Sequence, residues 1–552
     1  MRSERWSTNC ERMKVLKVGA AGPVLQFENG ECWSFDGEGH VMILGVSGSG
    51  KSRRGTIPMT KSFIRNRQSA VIADAKGEIY THTKDEIPDC YDVHVIDFRN
   101  LYEEDAEGWN PLVAPYDLWI SGTKKNRHIA EQMVEELAHT MYPDVPNTDP
   151  FWIKEARNVF IALVYALFLL ANPEEINLAS VYYLIAKGEE RFGGSTYLKT
   201  LVELLEGHEN VAMQLQSYVT TANDTRAGIR SVFLDGLSIA TKSESVRNFL
   251  SHDDLHINHL DGAKPTLVYI IVPDETPVYD ELTGVLVSQL MNHYVRIAEQ
   301  DYAGKLPIRV NVLLEELGNI GRAITNLPHL MTAGRSRNIR VEFVLQSMSQ
   351  LVDIYGASNA TTIISNCDVR VAFRVNHWET LTELSRICGE REIYCEGHLS
   401  REPLITQSQL AAMETGQALV IISGRMKFVT WIPDFTEMYP CDSKVYKKKK
   451  VKKRTKRSVG YFDIQKYVRE KKKEKLEQQM SGFDSIRKDA SPFGETLHPW
   501  KTETCNGSGA TLIQNVEPAD NVKGHQQTDF LVENGYITFA KFRDWYLNTM
   551  KK

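Results

Sequence analysis

The sequence predicts an α/β fold, a parallel sheet wrapped by helices and split by an all-helical insertion. Three observations carry this expectation. The segment VMILGVSGSGKS, residues 41–52, runs from an apolar strand into a glycine-rich loop and a basic helical stretch. Short apolar runs then alternate with helical stretches, the pattern of strands joined by crossover helices. From about Asn126 to Leu260 the strand runs stop and helical periodicity takes over.

In chain order, Val15 to Phe35 alternates and turns like short strands with Gly and Asn punctuation. Residues Gly45, Val46, Ser47, Gly48, Ser49, Gly50, Lys51 and Ser52 follow as a phosphate cradle. The glycines let backbone N–H groups close around an anion, Lys51 can reach the outer phosphates, and Ser52 can offer a hydroxyl to Mg²⁺. The helix that begins there aims its own N–H groups at the same charge. SAVIADAKGE reads as a second buried strand ending at Asp74 and Lys76, and DVHVIDF as a third.

HIAEQMVEELAHTMY, the Phe151 to Leu170 run and TYLKTLVELLEG make up the helical insertion. Its apolar stretch VFIALVYALFLLA is shorter than the roughly 20 residues of a membrane span and reads as a buried core helix. The strand pattern returns at PTLVYIIVPD, VNVLLEELGN, VEFVLQ, DVRVAFRV and ALVIISG. VNVLLEELGN ends in two adjacent carboxylates, Glu315 and Glu316. After a phosphate loop, an acid at such a strand end suits the Mg²⁺ shell, and a neighbouring one can polarise an attacking water. VEFVLQ leaves Gln346 at a strand tip, placed to sense an outer phosphate or orient water. AGRSRNIR sets Arg335, Arg337 and Arg340 in an expected polar loop; each reads either as a charge-stabilising finger for a neighbouring subunit or as a solvated or DNA-phosphate-binding arginine.

Eight cysteines without a C-x-x-C pair point to reduced thiols in a cytoplasmic setting. No secretory signal or membrane-spanning stretch is read in the sequence. The net charge of −6 conceals an asymmetry: Lys444 to Lys475 holds sixteen Lys/Arg against three Asp/Glu. Such a block attracts nucleic acid or anionic lipid, and the sequence does not choose between them. YVREKKKEKLEQQ reads as a charged helix, Ser481 to Gln527 as disordered, and the aromatic FLVENGYITFAKFRDWYLNTMKK as a docking element. His252, His256 and His259 read as solvated rather than as metal ligands, and Cys388, Cys395 and His398 are too loosely spaced to read as a zinc site. Met348 and Leu351 read as helix core.

DAKGE at 74–78, WNPL at 109–112, DPFW at 149–152, then EELGNIG, AGRSR, VLQSMSQL and YG, in that order, resemble the TraG/TraD-type coupling proteins of type IV secretion and conjugation. The resemblance spans about Phe35 to Pro440. It implies a RecA-like P-loop NTPase core, ATP and Mg²⁺ as cofactors, and a homohexameric ring. It also implies single-stranded DNA and a relaxase as cargo, and the membrane channel components of a secretion system as partners. Position by position, it makes Lys51 and Ser52 nucleotide ligands, Glu315 the metal-shell acid with Ser52, Glu316 the water-activating acid, Gln346 the sensor and Arg335 the trans-acting finger. Asp74 and Lys76 fall on the family's DPKGE motif and are expected to shape the nucleotide site.

Ala75 stands where that motif has proline, and Glu315 where the family usually has aspartate. The family's usual N-terminal membrane helices are not read in this chain, so a peripheral position at the inner face of the bacterial cell membrane, through a partner, is expected. Domains follow as an N-terminal β segment (1–34), the nucleotide-binding domain in two parts (35–125 and 263–440), the inserted all-helical domain (126–262) and a basic, largely disordered tail (441–552). The competing expectations are another RecA-like DNA-pumping translocase and a nucleotide-gated adaptor with little ATPase activity.

Overall fold

The computed structural model describes residues 4–102, 106–144, 149–205, 207–273, 279–395, 398–424, 426–440 and 459–489. Three short strands open the chain: β1 (Leu16–Val18), β2 (Val24–Glu28) and β3 (Glu31–Phe35), an antiparallel sheet ordered β1-β3-β2. Next come β4 (His40–Leu44), β5 (Ser69–Asp74) and β6 (Asp92–Asp97), then the small hairpin β7 (Arg191–Phe192) and β8 (Ser195–Thr196). After it run β9 (Thr266–Ile271), β10 (Val310–Leu314), β11 (Ile339–Leu345) and β12 (Cys367–Ala372). The hairpin β13 (Glu390–Cys395) and β14 (His398–Pro403) precedes β15 (Gln417–Ile422) and β16 (Met426–Trp431).

Nine of these strands form one sheet in the order β16-β15-β12-β4-β11-β10-β5-β9-β6. From β12 to β6 every pairing is parallel, and β15 and β16 close one edge as an antiparallel hairpin. Strands β4, β5, β9, β10 and β11 are buried along their whole length, as parallel strands covered on both faces must be. The C-terminal ends of β4, β5, β10 and β11 therefore share one end of the sheet, where α/β folds bind ligands.

Between β6 and β9 the described elements are helices, from Val113–Ile120 through Glu244–Ser251, apart from the β7/β8 hairpin. The apolar run at its centre forms the helix Pro150–Leu170, capped by Asp149, whose carboxylate accepts the Phe151 N–H at 3.0 Å. Its inward face, including Phe160, Leu163 and Leu167, is buried, so the expectation of a core helix holds. Gly228 lets the helix Asn223–Gly236 approach it, since a Cβ there would lie 2.5 Å from Trp152. No helix among the described residues is long and apolar enough to cross a membrane.

Among the described residues the chain divides into two compact units, 4–186 with 208–463, and 187–207 with 464–489. In the second, the helix Tyr197–Leu204 packs with the helix Ile464–Asp489, and Arg469 donates to Tyr197 Oη at 2.7 Å. That charged helix extends through residues 481–489, where disorder is expected from the sequence. The cationic block from Lys444 to Arg457, the rest of the polar stretch and the aromatic terminus lie outside the described residues.

Candidate nucleotide site

The phosphate loop leaves β4 within the sheet and is bonded to the end of β11 on one side and to the segment just past β12 on the other. Gly45 N–H donates to Leu345 O at 3.1 Å, and Val46 N–H to Arg374 O at 3.0 Å. Gly48 and Gly50 adopt φ of 74° and 95°, a region open to glycine and strained for other residues. A Cβ on Gly45 would fall 2.5 Å from Ser49 Oγ. The chain then enters a wide turn over Lys51–Thr56, in which the Ile57 N–H reaches Ser52 O, before tightening into the helix Ile57–Arg65.

Lys51 is buried and folds back so that its Nζ donates to Val46 O at 3.0 Å. Burial lowers its pKa, while Glu316 and Glu315 oppose the shift. Across the site, Ser52 Oγ donates to Glu315 Oε1 at 2.6 Å, tying the loop to the end of β10. Burial pushes the Glu315 carboxyl up to about 7; the Ser52 hydrogen bond opposes this, and the nearby Asp74, Glu316 and Glu78 charges add to it. Glu316 follows in the left-handed region at φ 59°, opening the turn Leu317–Ile320. A glutamate held there is strained by the order of 1 kcal/mol, a type of outlier that clusters at functional sites.

Gln346 is exposed one residue beyond the Leu345 carbonyl that accepts from the loop, with its own N–H bonded to Gln350 Oε1 at 2.9 Å. Because β11 lies between β4 and β10, Gln346 emerges between the phosphate loop and the two acids. Asp74 is buried at the end of β5 and turns its carboxylate onto its own loop, Oδ2 accepting the Tyr80 N–H at 2.9 Å. Its carboxylate thus shapes the DAKGE loop, and burial raises its pKa. Lys76 is exposed on that loop, and its charge contributes to lowering the Lys51 pKa.

The arginines differ from the expected polar loop. Arg335 lies in the last turn of the helix Leu327–Ser336 and pairs with Asp368 at 3.0 Å. It precedes β11 and so sits at the opposite end of the sheet from its own phosphate loop, roughly 20 Å away along a seven-residue strand. Arg337 caps that helix, bonding Ala333 O at 2.7 Å and pairing with Glu299. Arg340 lies inside β11, where its Nε donates to Glu342 Oε1 at 2.6 Å and its Nη2 to Asn311 Oδ1 at 2.9 Å. Both charged residues are buried, which removes Arg340 from the candidates for a finger or a DNA contact.

His256 pairs with Asp253, and Cys388 is buried; among the described residues no cluster suits a metal. Met348 and Leu351 are buried, as expected. Sequence reading missed Asp280, which shares a small cleft with Glu315, Glu316 and Asn319 and whose pKa rises to about 6 through burial and the Glu281 charge. It also missed the ties from Arg53 to Asp434 at 2.6 Å and from Arg54 to Ile432 O at 2.6 Å. Partners more than 370 residues apart give no local signal.

The residues fit a nucleotide with Mg²⁺. Ser49 Oγ is buried inside the loop with no hydrogen-bond partner, and the loop glycines leave room for backbone to approach an anion. Ser52 and Glu315 offer the hard oxygen donors that Mg²⁺ takes, and a cation beside Glu315 relieves the burial of its charge.

A phosphate loop at the end of a central strand, faced by two strand-end carboxylates, defines a P-loop α/β protein of the nucleotide-binding class. A profile described as "Type IV secretory system Conjugative DNA transfer" matches residues 2–398, and the chain belongs to that family. It is 24% identical over 404 residues to Protein VirD4 of Agrobacterium fabrum (strain C58 / ATCC 33970), covering 70% of this chain and 57% of that protein. To the conjugal transfer protein TraG of Escherichia coli it is 21% identical over 393 residues, 69% of this chain and 59% of the relative. The chain thus spans under three-fifths of the length of these relatives. Among solved structures, the conjugative coupling protein TrwB, unbound, superposes with a TM-score of 0.58 at 17% identity, covering 78% of this chain and 93% of that one. TrwB in complex with ADP and Mg²⁺ gives 0.58 at 15% identity, covering 79% and 94%. These likenesses share the RecA-like α/β fold.

Proposed function

We propose that the chain is the ATP-driven coupling protein of a conjugative type IV secretion system. It would recruit relaxase-bound single-stranded DNA, or a protein substrate, and deliver it to the membrane channel. The observation that carries this reading is the 2.6 Å bond from Ser52 Oγ to Glu315, which joins the phosphate loop to the acid strand in the arrangement that nucleotide hydrolysis needs. Family membership and the nucleotide complexes of TrwB with ADP and Mg²⁺ and with ADPNP support it.

In this reading Lys51 neutralises the outer phosphates, Ser52 and Glu315 hold Mg²⁺, Glu316 takes a proton from the attacking water, and Gln346 orients that water. Asp74 and Lys76 shape the wall beside them. Mg²⁺ held by Ser52 and Glu315 would supply positive charge against the charge that builds on the phosphates. Arg335 is too far from its own loop to act there, so its role as a finger requires a neighbour in a homohexamer. The site is cytoplasmic, at the inner face of the cell membrane through a partner, with 126–262 as the inserted helical module.

A nucleotide-gated adaptor with slow turnover is the second reading, favoured by Glu315 itself. With one methylene more than aspartate it bonds Ser52 directly, so the two residues that would hold Mg²⁺ are engaged with each other. Steady-state ATP hydrolysis by the purified chain, with and without single-stranded DNA, tests both. Turnover stimulated by DNA supports the motor; ATP binding without DNA-stimulated turnover supports the adaptor.

A further inference from the structure

Trp431, the last residue of β16, keeps half of its indole open to solvent although it belongs to the large sheet. Its height in the sheet follows from register. Gln417 of β15 pairs with Trp431, while Leu419 pairs with both Val429 and Ala372, and Ala372 pairs with Leu44. Two residues beyond Ala372 stands Arg374, whose carbonyl accepts the Val46 N–H of the phosphate loop. Trp431 therefore lies at the level of that loop, three strands to one side of β4 and roughly 14 Å across the sheet.

The ring is held there from the phosphate-loop helix. Arg54, two residues after Ser52, bonds Ile432 O at 2.6 Å and sets its guanidinium 5.9 Å from the indole centroid. Arg53 makes a two-toothed pair with Asp434 at 2.6 and 2.8 Å. Gly416 backs the ring at φ 110°: a Cβ there would lie 2.9 Å from the indole and 3.2 Å from Arg54 Nη1. The structure thus keeps a large flat aromatic half exposed, with Arg54 and Gly416 against it and Arg53 anchoring the segment that follows it to the nucleotide loop.

The direction of a nucleotide in the cradle follows from the acids. Glu315 and Glu316 lie on the β10 side of β4, so the outer phosphate belongs on that side, and the remainder of the molecule must extend toward β12, β15 and β16. We propose that Trp431 is the platform on which the purine base of the bound nucleotide stacks, with Arg54 and Gly416 as positioning residues. This rests on the nucleotide-binding reading above. A π face reads flatness and not a hydrogen-bond edge, so adenine and guanine are accepted alike.

The test is calorimetric titration of the full chain with ADP, GDP and inorganic tripolyphosphate, the last lacking a base. Trp431→Ala is expected to weaken ADP and GDP by about 10- to 100-fold, the range of one aromatic–base stack, and to leave tripolyphosphate unchanged. Trp431→Phe should retain most of the affinity, and Lys51→Ala should weaken all three ligands. Unchanged ADP binding by Trp431→Ala overturns the proposal, and so does an equal loss for ADP and tripolyphosphate, which makes the ring a support of the loop only. Single-stranded DNA is titrated alongside, and a loss by Trp431→Ala confined to it assigns the ring to that polymer instead. Failure of the wild-type chain to bind any of the three removes the nucleotide reading itself, and this inference with it.

Discussion

The proposed hydrolysis gives Lys51 and Glu316 opposite tasks, and substitution separates them. Lys51 lies buried against its own loop and within the influence of both acids. Lys51→Ala is expected to bring ATP turnover to background by removing the charge proposed to hold the outer phosphates. Glu316→Gln should leave ATP binding intact and slow turnover by about 10²-fold or more, the usual contribution of a positioned general base. Glu315→Gln should instead change the Mg²⁺ concentration needed for half-maximal turnover. ATP titration and Mg²⁺-dependent rates distinguish the three; equal rates and affinities in the two glutamate variants would refute the division of roles. The acids and the loop are legible in the sequence because each ends a buried strand. The left-handed backbone of Glu316 and the inward turn of Asp74 onto its own loop are not, since both follow from what packs around them.

At the scale of elements, β11 carries a buried ion pair. Arg340 and Glu342 stand two apart and so share one face of the strand. Arg340→Met is expected to destabilise the protein by about 3–5 kcal/mol, because it strands a buried carboxylate, whereas Arg340→Met with Glu342→Leu should lie near the wild type. Urea unfolding of the three variants measures this. The pair also explains why the start of β11 is hard to read from sequence: charged residues inside a strand look like a loop until each is seen to neutralise the other.

In the helix Lys124–Met141, burial pushes Glu136 up to about 7 against the Asn292 hydrogen bond, made at 2.8 Å. The fold therefore holds a proton that the unfolded chain releases near 4.5. That contribution is complete below pH 4.5, declines as the pH rises and is lost once it passes 7. Melting temperatures from pH 5 to 7.5 should fall less steeply for Glu136→Gln than for the wild type; parallel curves would exclude the effect.

For the whole molecule, the position of Arg335 makes a demand on assembly. It cannot serve its own phosphate loop, so a role in hydrolysis requires another copy, and specific activity should rise with protein concentration. Mixing Arg335→Ala with Lys51→Ala subunits should restore part of the turnover that each lacks alone, at interfaces that join an intact loop to an intact arginine. Mixed rings that stay inactive, or full activity of Arg335→Ala by itself, would leave the arginine with its Asp368 pairing only. The order of strands along the chain and the helical character of the insertion are legible in the sequence, whereas their order across the sheet is set by packing between distant segments. Trp431 and Arg54 show the limit: 377 positions separate them, and only the folded sheet makes them neighbours.

That same strand order sets a timetable for synthesis. The loop-bearing strand β4 has β11 and β12 as its neighbours, and both are encoded about 300 or more residues later. At a translation speed of about 5–20 residues per second, the apolar HVMIL leaves the ribosome roughly 15–60 s before a partner strand exists. The first half of the sheet must wait in the same way, since β5 and β6 both pair with β9, beyond the whole helical insertion. The nascent chain thus carries unpaired, aggregation-prone strands through most of its own translation, and the nucleotide site is among the last features of the molecule to come into being.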